Sequence, residues 1–162
     1  MDYKTLRQTD ADVVILPGAV VTENVTLGPG CSVWFNAVLR GDGGPISAGR
    51  GCNFQDCCVL HSDKGPTTLG DYVSVGHGAI VHGASVGDNT IVGMGATLLD
   101  FAKIGKNCMV GAGSLVTGKM DAPDGSLVLG NPARVVRPLT QEEIADLRAN
   151  ADHYAEIKER YR

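Results

Sequence analysis

Aromatic side chains are scarce in this chain. Phe, Trp and Tyr together make up 5% of the 162 residues, whereas 22 positions are glycine. A core packed around aromatic rings is excluded at this content, because such rings supply much of the buried area in ordinary domains. We therefore expect one domain with a thin interior of small and aliphatic side chains and with many tight turns.

Long hydrophobic runs and an excess of basic residues are also missing. No segment approaches the ~20 apolar residues of a membrane-spanning helix, and no basic start leads into an apolar stretch. The net charge of −4 gives no reason to expect nucleic-acid binding. Five cysteines, an odd number, argue against a disulfide framework in a chain of this kind. These features predict a cytoplasmic protein without a membrane or nucleic-acid partner.

What the sequence does contain is a six-residue repeat. From Leu69 the chain divides into LGDYVS, VGHGAI, the five-residue VHGAS, VGDNTI, VGMGAT, LLDFAK, IGKNCM, VGAGSL and VTGKMD. The first position of each unit is aliphatic, the second is usually Gly, and the fifth is small or β-branched. One unit suits a short strand and a turn, with the aliphatic residue pointing inward. Three units close a triangular coil of about 18 residues, and coils stack as parallel strands.

The aliphatic positions run from Ile15 to Val128 and predict about seven coils. The small inward position takes Ser85 in the five-residue unit. It also takes four of the five cysteines, which we interpret as buried structural residues: Cys31, Cys52, Cys58 and Cys108. Cys57 falls at a corner of the coil.

The pattern changes after Pro138. Thr140 and Glu143 form a capping box, and a stripe of residues follows at helical spacing, namely Ile144, Leu147, Ala151, Tyr154, either Ile157 or Lys158, and Tyr161. We therefore divide the chain into a β-helix domain over residues 1–138 and a C-terminal α-helix over residues 139–162. The apolar stripe of this helix must cover a face of the β-helix or of a neighbouring subunit.

Two histidines occupy equivalent places on successive coils. Arg40, His61 and His82 directly follow inward aliphatic positions that lie three units apart, so they stack in one column. Adjacent strands are about 4.7–4.9 Å apart, which lets two imidazoles reach one metal ion. Glycine is the usual residue at this position, and its replacement by His in two coils favours a metal site.

His77 belongs to the preceding unit and lies on another side of the prism, roughly 18–20 Å away along the chain. It is therefore unsuited to share an ion with His82 of its own chain. A three-fold axis would bring His77 of one chain to His61 and His82 of the next. The count predicts a cyclic homotrimer with three sites. The fourth histidine, His153, is expected on the helix surface.

Several segments resemble the γ-class carbonic anhydrase family. They are RGD at 40–42, NFQD at 53–56, VLH ending at His61, VGHGAIVHG at 75–83, and GNPARVVR followed by a helix. The resemblance covers nearly the whole chain. It implies an all-β, left-handed parallel β-helix with one C-terminal α-helix, assembled as a homotrimer. It also implies Zn²⁺, with Fe²⁺ or Co²⁺ as alternatives, held by His61 and His82 of one subunit and His77 of its neighbour.

The resemblance implies further roles residue by residue. Arg40 and Asp42 match an ion pair between subunits, for which a solvated surface pair is the alternative. Gln55 is similar to the residue that orients the metal-bound water, and Asn53 to the residue that holds Gln55. These two corner amides could instead satisfy backbone groups. Asp56 is similar to an acid at the subunit interface.

The activity implied is hydration of CO2 to bicarbonate by a metal-bound hydroxide. Two departures from the family pattern predict a slow reaction. Gly43 stands where that pattern has a glutamate, and the segment SDKGPTT between His61 and Leu69 replaces an acidic loop. Asp63 and His153 are then the only nearby titratable candidates for proton export. The chain resembles the shorter branch of the family, which lacks the acidic loop that carries the proton shuttle.

Two other functions stay open. The same metal hydroxide could hydrolyse CoA thioesters, and a metal could also serve only to hold a non-catalytic trimeric scaffold together. Acyl transfer is less favoured, because hexapeptide-repeat acyltransferases usually depend on a catalytic histidine without a metal triad. Tyr154 is predicted to pack the helix, with ordering of water at a neighbouring site as the alternative.

Overall fold

The computed structural model describes residues 8–10 and 12–162. Short strands dominate these residues, and one helix follows them. The strands are β1 Gln8–Thr9, β2 Val14–Ile15, β3 Val20–Leu27, β4 Ser32–Val33, β5 Val38–Ala48, β6 Asn53–Phe54, β7 Val59–His61, β8 Thr67–Leu69, β9 Ser74–Val75, β10 Ile80–His82, β11 Ser85–Val86, β12 Ile91–Val92, β13 Thr97–Leu98, β14 Lys103–Ile104, β15 Met109–Val110, β16 Leu115–Val116, β17 Asp121–Ala122, β18 Ser126–Gly130 and β19 Ala133–Pro138. Helix α1 spans Gln141–Ile157, and a 3₁₀ helix continues it over Lys158–Tyr161.

The strands form three faces of a prism. The histidine face consists of the first part of β3 and β5, then β7, β10, β13 and β16. The polar face consists of β1, the second part of β3 and β5, then β8, β11, β14 and β17. The helix face stacks β2, β4, β6, β9, β12, β15 and β18 in parallel, and β19 is added antiparallel at its end. The predicted β-helix of hexapeptide repeats with a C-terminal helix is confirmed.

The interior follows the six-residue pattern. The inward aliphatic positions are buried in one continuous core, and Phe54 is the largest fully buried side chain. The seven parallel strands of the helix face mark out about six complete turns of the β-helix. The aliphatic positions had predicted about seven such coils, one more than the structure has. In the five-residue unit the prediction was wrong: Ala84 fills the small inward position and Ser85 points outward, since the short unit moves that position forward by one.

The cysteines lie where the repeat predicted them. Four are buried in the interior and Cys57 is exposed at a corner with φ of 60°. The thiols of Cys31 and Cys52 each donate to a backbone carbonyl at 3.1 Å, on Gly49 and Gly70. Burial raises the pKa of Cys58 to about 12, so this thiol stays protonated at neutral pH.

Helix α1 packs against the helix face of its own chain. The capping box is present: the Thr140 hydroxyl accepts from the Glu143 amide at 3.2 Å, and the Glu143 carboxylate accepts from the Thr140 amide at 2.8 Å. The predicted stripe buries Leu147 and Ala151. Farther along, Tyr154 packs edge-on against Trp34 with 5.2 Å between ring centroids. The sequence left open whether the apolar stripe of this helix covers the β-helix of its own chain or that of a neighbouring subunit. In the structure it covers the β-helix of its own chain.

Polar contacts fix the helix in register with the coils. Asn150 donates to the Ser74 hydroxyl at 2.8 Å. Lys158 is buried and donates to the Gly30 carbonyl at 2.7 Å. Within the described part of the chain no helix is both long and apolar enough to cross a membrane.

Candidate metal centre

The histidine face brings His61 and His82 together at the ends of β7 and β10. The two residues are direct partners in the parallel register, as the unit count predicted. Nδ1 of His61 lies 3.3 Å from Nε2 of His82. His61 is buried, whereas about a quarter of the His82 side chain is exposed, so the pair sits at the surface of the prism.

This separation fits a shared cation. Two nitrogens at a Zn–N distance of about 2.0–2.1 Å on a tetrahedral ion lie about 3.3–3.4 Å apart. The pair therefore already holds the spacing of two ligands of one ion. Neutral imidazole also suits Fe²⁺ and Co²⁺ as well as Zn²⁺, so the donors fit a divalent transition metal without selecting one.

A carboxylate backs each histidine of the pair on its other nitrogen. Oδ1 of Asp42 lies 3.0 Å from Nε2 of His61, and Oδ1 of Asp100 lies 3.0 Å from Nδ1 of His82. A carboxylate in this place fixes the tautomer and orients the ring, which leaves the second nitrogen free for a metal. Gly83, with φ of 61°, makes room for this contact, because a Cβ there would overlap the Asp100 carboxylate.

His77 lies on the helix face, two residues after the end of β9, and has no contact with the other two histidines of its chain among the described residues. Oδ2 of Asp56 lies 2.8 Å from its Nδ1, and the Tyr154 hydroxyl lies 3.2 Å from its Nε2. Asp56 thus backs His77 as Asp42 and Asp100 back the pair. Tyr154 combines the packing role that was predicted with a contact to His77.

The predicted amides form a chain that leads to His77. Asn53 and Gln55 are both buried. Asn53 donates to the Ser74 hydroxyl at 2.8 Å and accepts from the Gln55 amide at 3.1 Å. Gln55 in turn accepts from the backbone amide of His77 at 3.2 Å. The contact between Asn53 and Gln55 matches the predicted support of one by the other, and both also satisfy neighbouring polar groups.

Arg40 and Asp42 form an ion pair within one chain. The Arg40 guanidinium donates to Asp42 at 2.6 Å, and both side chains are more than two-fifths exposed. This hydrogen bond is the main cause of the lowered pKa of Asp42, and the contact with His61 acts in the same direction. Asp42 therefore stays ionised beside His61. The pairing of Arg40 with a second subunit stays a prediction.

Relatives of the chain carry the same repeat. Residues 83–118 match the family described as bacterial transferase hexapeptide (six repeats), and residues 66–99 match the hexapeptide repeat of succinyl-transferase. A probable carbonic anhydrase of Methanocaldococcus jannaschii is 54% identical over 149 residues, which cover 91% of this chain and 94% of that protein. A mitochondrial protein of Arabidopsis thaliana named gamma carbonic anhydrase 2 is 44% identical over 155 residues. The chain belongs to the γ-class carbonic anhydrase family.

The overlap with this family differs between its members. The alignment with the Arabidopsis protein covers 91% of this chain but 56% of that protein, so the chain spans just over half the length of this relative. Among solved structures, a hexapeptide transferase family protein from Anaplasma phagocytophilum is 36% identical in sequence and superposes with a TM-score of 0.92. The match covers 96% of this chain and 93% of the other protein's chain. The fold of the γ-class carbonic anhydrase family is therefore shared with a protein named as a hexapeptide transferase.

Two acids of this γ-class chain were not placed by the sequence. Asp100 was missed, although counting one turn on from His82 and Gly83 reaches it. Asp63 was considered only for proton export, yet its Oδ2 lies 3.6 Å from Nε2 of His82. Its position depends on the fold of an inserted loop, for which the repeat gives no rule. His153, the other proton-export candidate, is exposed on α1.

Proposed function

We propose that the chain catalyses the hydration of CO2 to bicarbonate with a divalent metal held between subunits of a homotrimer. One observation carries this proposal: each of the three histidines has one ring nitrogen on a carboxylate, at 3.0 Å from Asp42, 3.0 Å from Asp100 and 2.8 Å from Asp56. Surface histidines have no reason to share this arrangement. Metal-binding histidines almost always do.

The distribution of outward side chains supports a trimer. Outward residues of the polar face are hydrophilic: Thr26, Ser47, Thr68, Ser85, Lys103 and Asp121. The equivalent column of the histidine face is almost wholly apolar: Val20, Val38, Val59, Ile80, Thr97 and Leu115. An apolar surface of this extent marks an interaction site.

The helix face offers a matching surface. The outward residues Ile91 and Met109 on this face are apolar and line a groove together with His77. A contact between the histidine face of one chain and the helix face of the next is heterologous, and three such contacts close a ring. The same contact would carry His77 toward His61 and His82 of the neighbouring chain.

When bound, a divalent cation lowers the pKa of a coordinated water and so supplies hydroxide near neutral pH. The chain's own residues have supporting roles in this proposal. Asp42, Asp100 and Asp56 orient the imidazoles, and Asn53 holds Gln55 at a place where its amide can hydrogen-bond to water or bicarbonate. Arg40 keeps Asp42 ionised and, in the proposed trimer, contacts the neighbouring subunit.

A groove of about 360 Å³ beside His77 suits a small apolar substrate. Gln55 and His77 contribute polar groups to it, and Ile91, Met94 and Met109 contribute apolar ones. CO2 has no net dipole and needs little more than a water-poor surface next to the nucleophile. A bulky acyl-CoA would need a wider opening after a second subunit covers this face.

Export of the proton is expected to limit the rate. A side chain at position 43 has no room, because a Cβ there would overlap the Ser62 carbonyl and lie 2.8 Å from the Asp63 carboxylate. The family pattern has a carboxylate side chain at this position, whereas here the loop that contains Ser62 and Asp63 fills the space. Without that carboxylate, transfer of the proton to solvent depends on buffer.

The test is elemental analysis of protein purified without oxygen, followed by stopped-flow CO2 hydration in increasing imidazole. We expect about one divalent ion per chain and a slow reaction that concentrated imidazole accelerates. A metal-loaded protein that hydrolyses CoA thioesters but does not hydrate CO2 would replace this function with the hydrolase. A loaded protein inactive in both assays would leave the metal as a purely structural link.

A further inference from the structure

The loop between β7 and β8 places an exposed carboxylate over the histidine pair. Oδ2 of Asp63 lies 3.6 Å from Nε2 of His82, the nitrogen that faces His61, whereas Oδ1 lies 3.7 Å from Nε2 of His61, the nitrogen that Asp42 holds. One candidate ligand atom from each of His61, Asp63 and His82 falls within 4.8 Å of the others. A carboxylate oxygen binds such metals at about 2.0–2.2 Å, so Oδ2 of Asp63 is the atom placed to join Nδ1 of His61 and Nε2 of His82 after a movement of the side chain.

The position of Asp63 comes from a packed loop. Ser62 is fully buried, and its hydroxyl donates to the Gly65 carbonyl. The Thr67 hydroxyl donates to the His61 carbonyl and accepts from the Gly83 amide, both at 3.0 Å. These bonds tie both ends of the loop to the strands that carry the histidines.

Gly43 closes the loop from the other side. Its backbone lies so near Ser62 and Asp63 that no side chain fits between them. The absence of a side chain at residue 43 therefore allows the Asp63 carboxylate to approach the pair. The same two features that make this chain differ from the family pattern, Gly43 and the short loop, together create the cluster.

We propose that Asp63 is the third ligand of a metal site contained within one chain, which holds a divalent cation before a neighbouring chain contributes His77. This inference rests on the proposed function, because it takes His61 and His82 as metal ligands. Each half of the shared site is then satisfied before assembly: the pair by Asp63, and His77 by Asp56 and Tyr154. Metal loading does not require the trimer, and His77 takes the place of Asp63 when the subunits meet.

Co²⁺ binding to four proteins tests the proposal: the parent chain, Asp63→Asn, His77→Ala and the double variant. Co²⁺ affinity is measured by competition with a chelator, and the visible spectrum reports the ligand set. We expect His77→Ala to keep one Co²⁺ per chain at reduced affinity. Adding Asp63→Asn should weaken Co²⁺ binding by a further tenfold or more. This is the order of the loss in metal affinity when a residue that supports a metal site is removed.

Asp121→Asn in the His77→Ala background is the matched control, since Asp121 is exposed on the polar face; it should leave Co²⁺ affinity unchanged. The proposal is overturned if Asp63→Asn also changes nothing in that background, or if His77→Ala binds no Co²⁺ while its circular dichroism is that of the parent. Failure of the proposed function has a different signature, which is full Co²⁺ binding after His61→Ala or His82→Ala.

Discussion

At the scale of single residues, the metal ligands give the most direct prediction. His61→Ala or His82→Ala should abolish stoichiometric metal binding, because each removes one of two nitrogens that lie 3.3 Å apart. Cys57→Ser should keep the metal, since this exposed thiol lies at a corner and makes no contact with the pair. Elemental analysis after exhaustive dialysis measures both, and full metal content in either histidine variant would contradict the assignment.

Asp100 offers a subtler test of the same site. Asp100→Asn keeps the size of the side chain but removes the charge that holds Nδ1 of His82 in its donor form. We expect metal affinity to fall by about 10–100-fold, the usual effect of losing such a carboxylate. Asp124→Asn, at an exposed corner elsewhere, serves as the control. Equal chelator competition curves for both variants would show that Asp100 does not support the ligand.

The residue scale also shows how far a repeat can be read. Counting units was enough to predict the pairing of His61 with His82, because the strand register follows from the aliphatic positions. Asp63 could not be predicted in this way. Its place over the pair depends on hydrogen bonds of Ser62 and Thr67 and on the close approach of Gly43, and none of these belongs to the repeat.

At the scale of elements, the start of α1 depends on one carboxylate, that of Glu143, with two partner residues. Glu143 pairs with Arg137 at 2.6 Å and accepts from the Thr140 amide at 2.8 Å. These contacts lower the pKa of Glu143 from 4.5 to about 2, with the Arg137 hydrogen bond as the largest cause. The helix thus begins at a point tied to β19.

The lowered pKa gives a pH dependence with a definite sign. The ionised form is favoured in the folded state, so its contribution to stability is full above the unfolded pKa near 4.5 and is lost as the pH falls toward 2. Glu143→Gln should therefore be less stable than the parent at neutral pH, and the gap should close between about pH 4.5 and 2. Urea unfolding followed at the helix band measures this gap, and a constant difference across that window would contradict it.

Element boundaries were predictable to different degrees. The capping box located the start of α1 because Thr140 and Glu143 make contacts that depend only on neighbours in sequence. The hairpin of β18 and β19 was not predicted, although the repeat was followed to Val128 inside it. A count of six identifies Val128 as inward but carries no information on whether the next strand continues the coil or turns back.

At the scale of the whole molecule, assembly should depend on the apolar column of the histidine face. Ile80 is 39% exposed in the single chain and lies two residues before His82, yet it takes no part in the buried core. Ile80→Glu should leave the fold intact and place a charge in each proposed interface. Burying an unpaired charge costs several kcal/mol, and about 3 kcal/mol alone weakens association by roughly 100-fold.

Sedimentation equilibrium and metal affinity separate the outcomes for this variant. We expect Ile80→Glu to be monomeric at concentrations where the parent is trimeric, with a parent-like circular dichroism spectrum. Because His77 of another chain is then no longer available, its metal affinity should fall to that of His77→Ala. Ser47→Glu, the equivalent change on the polar face, should remain trimeric with parental affinity. A trimeric Ile80→Glu with full metal affinity would mean that the subunits meet through another face and that the three histidines do not share an ion.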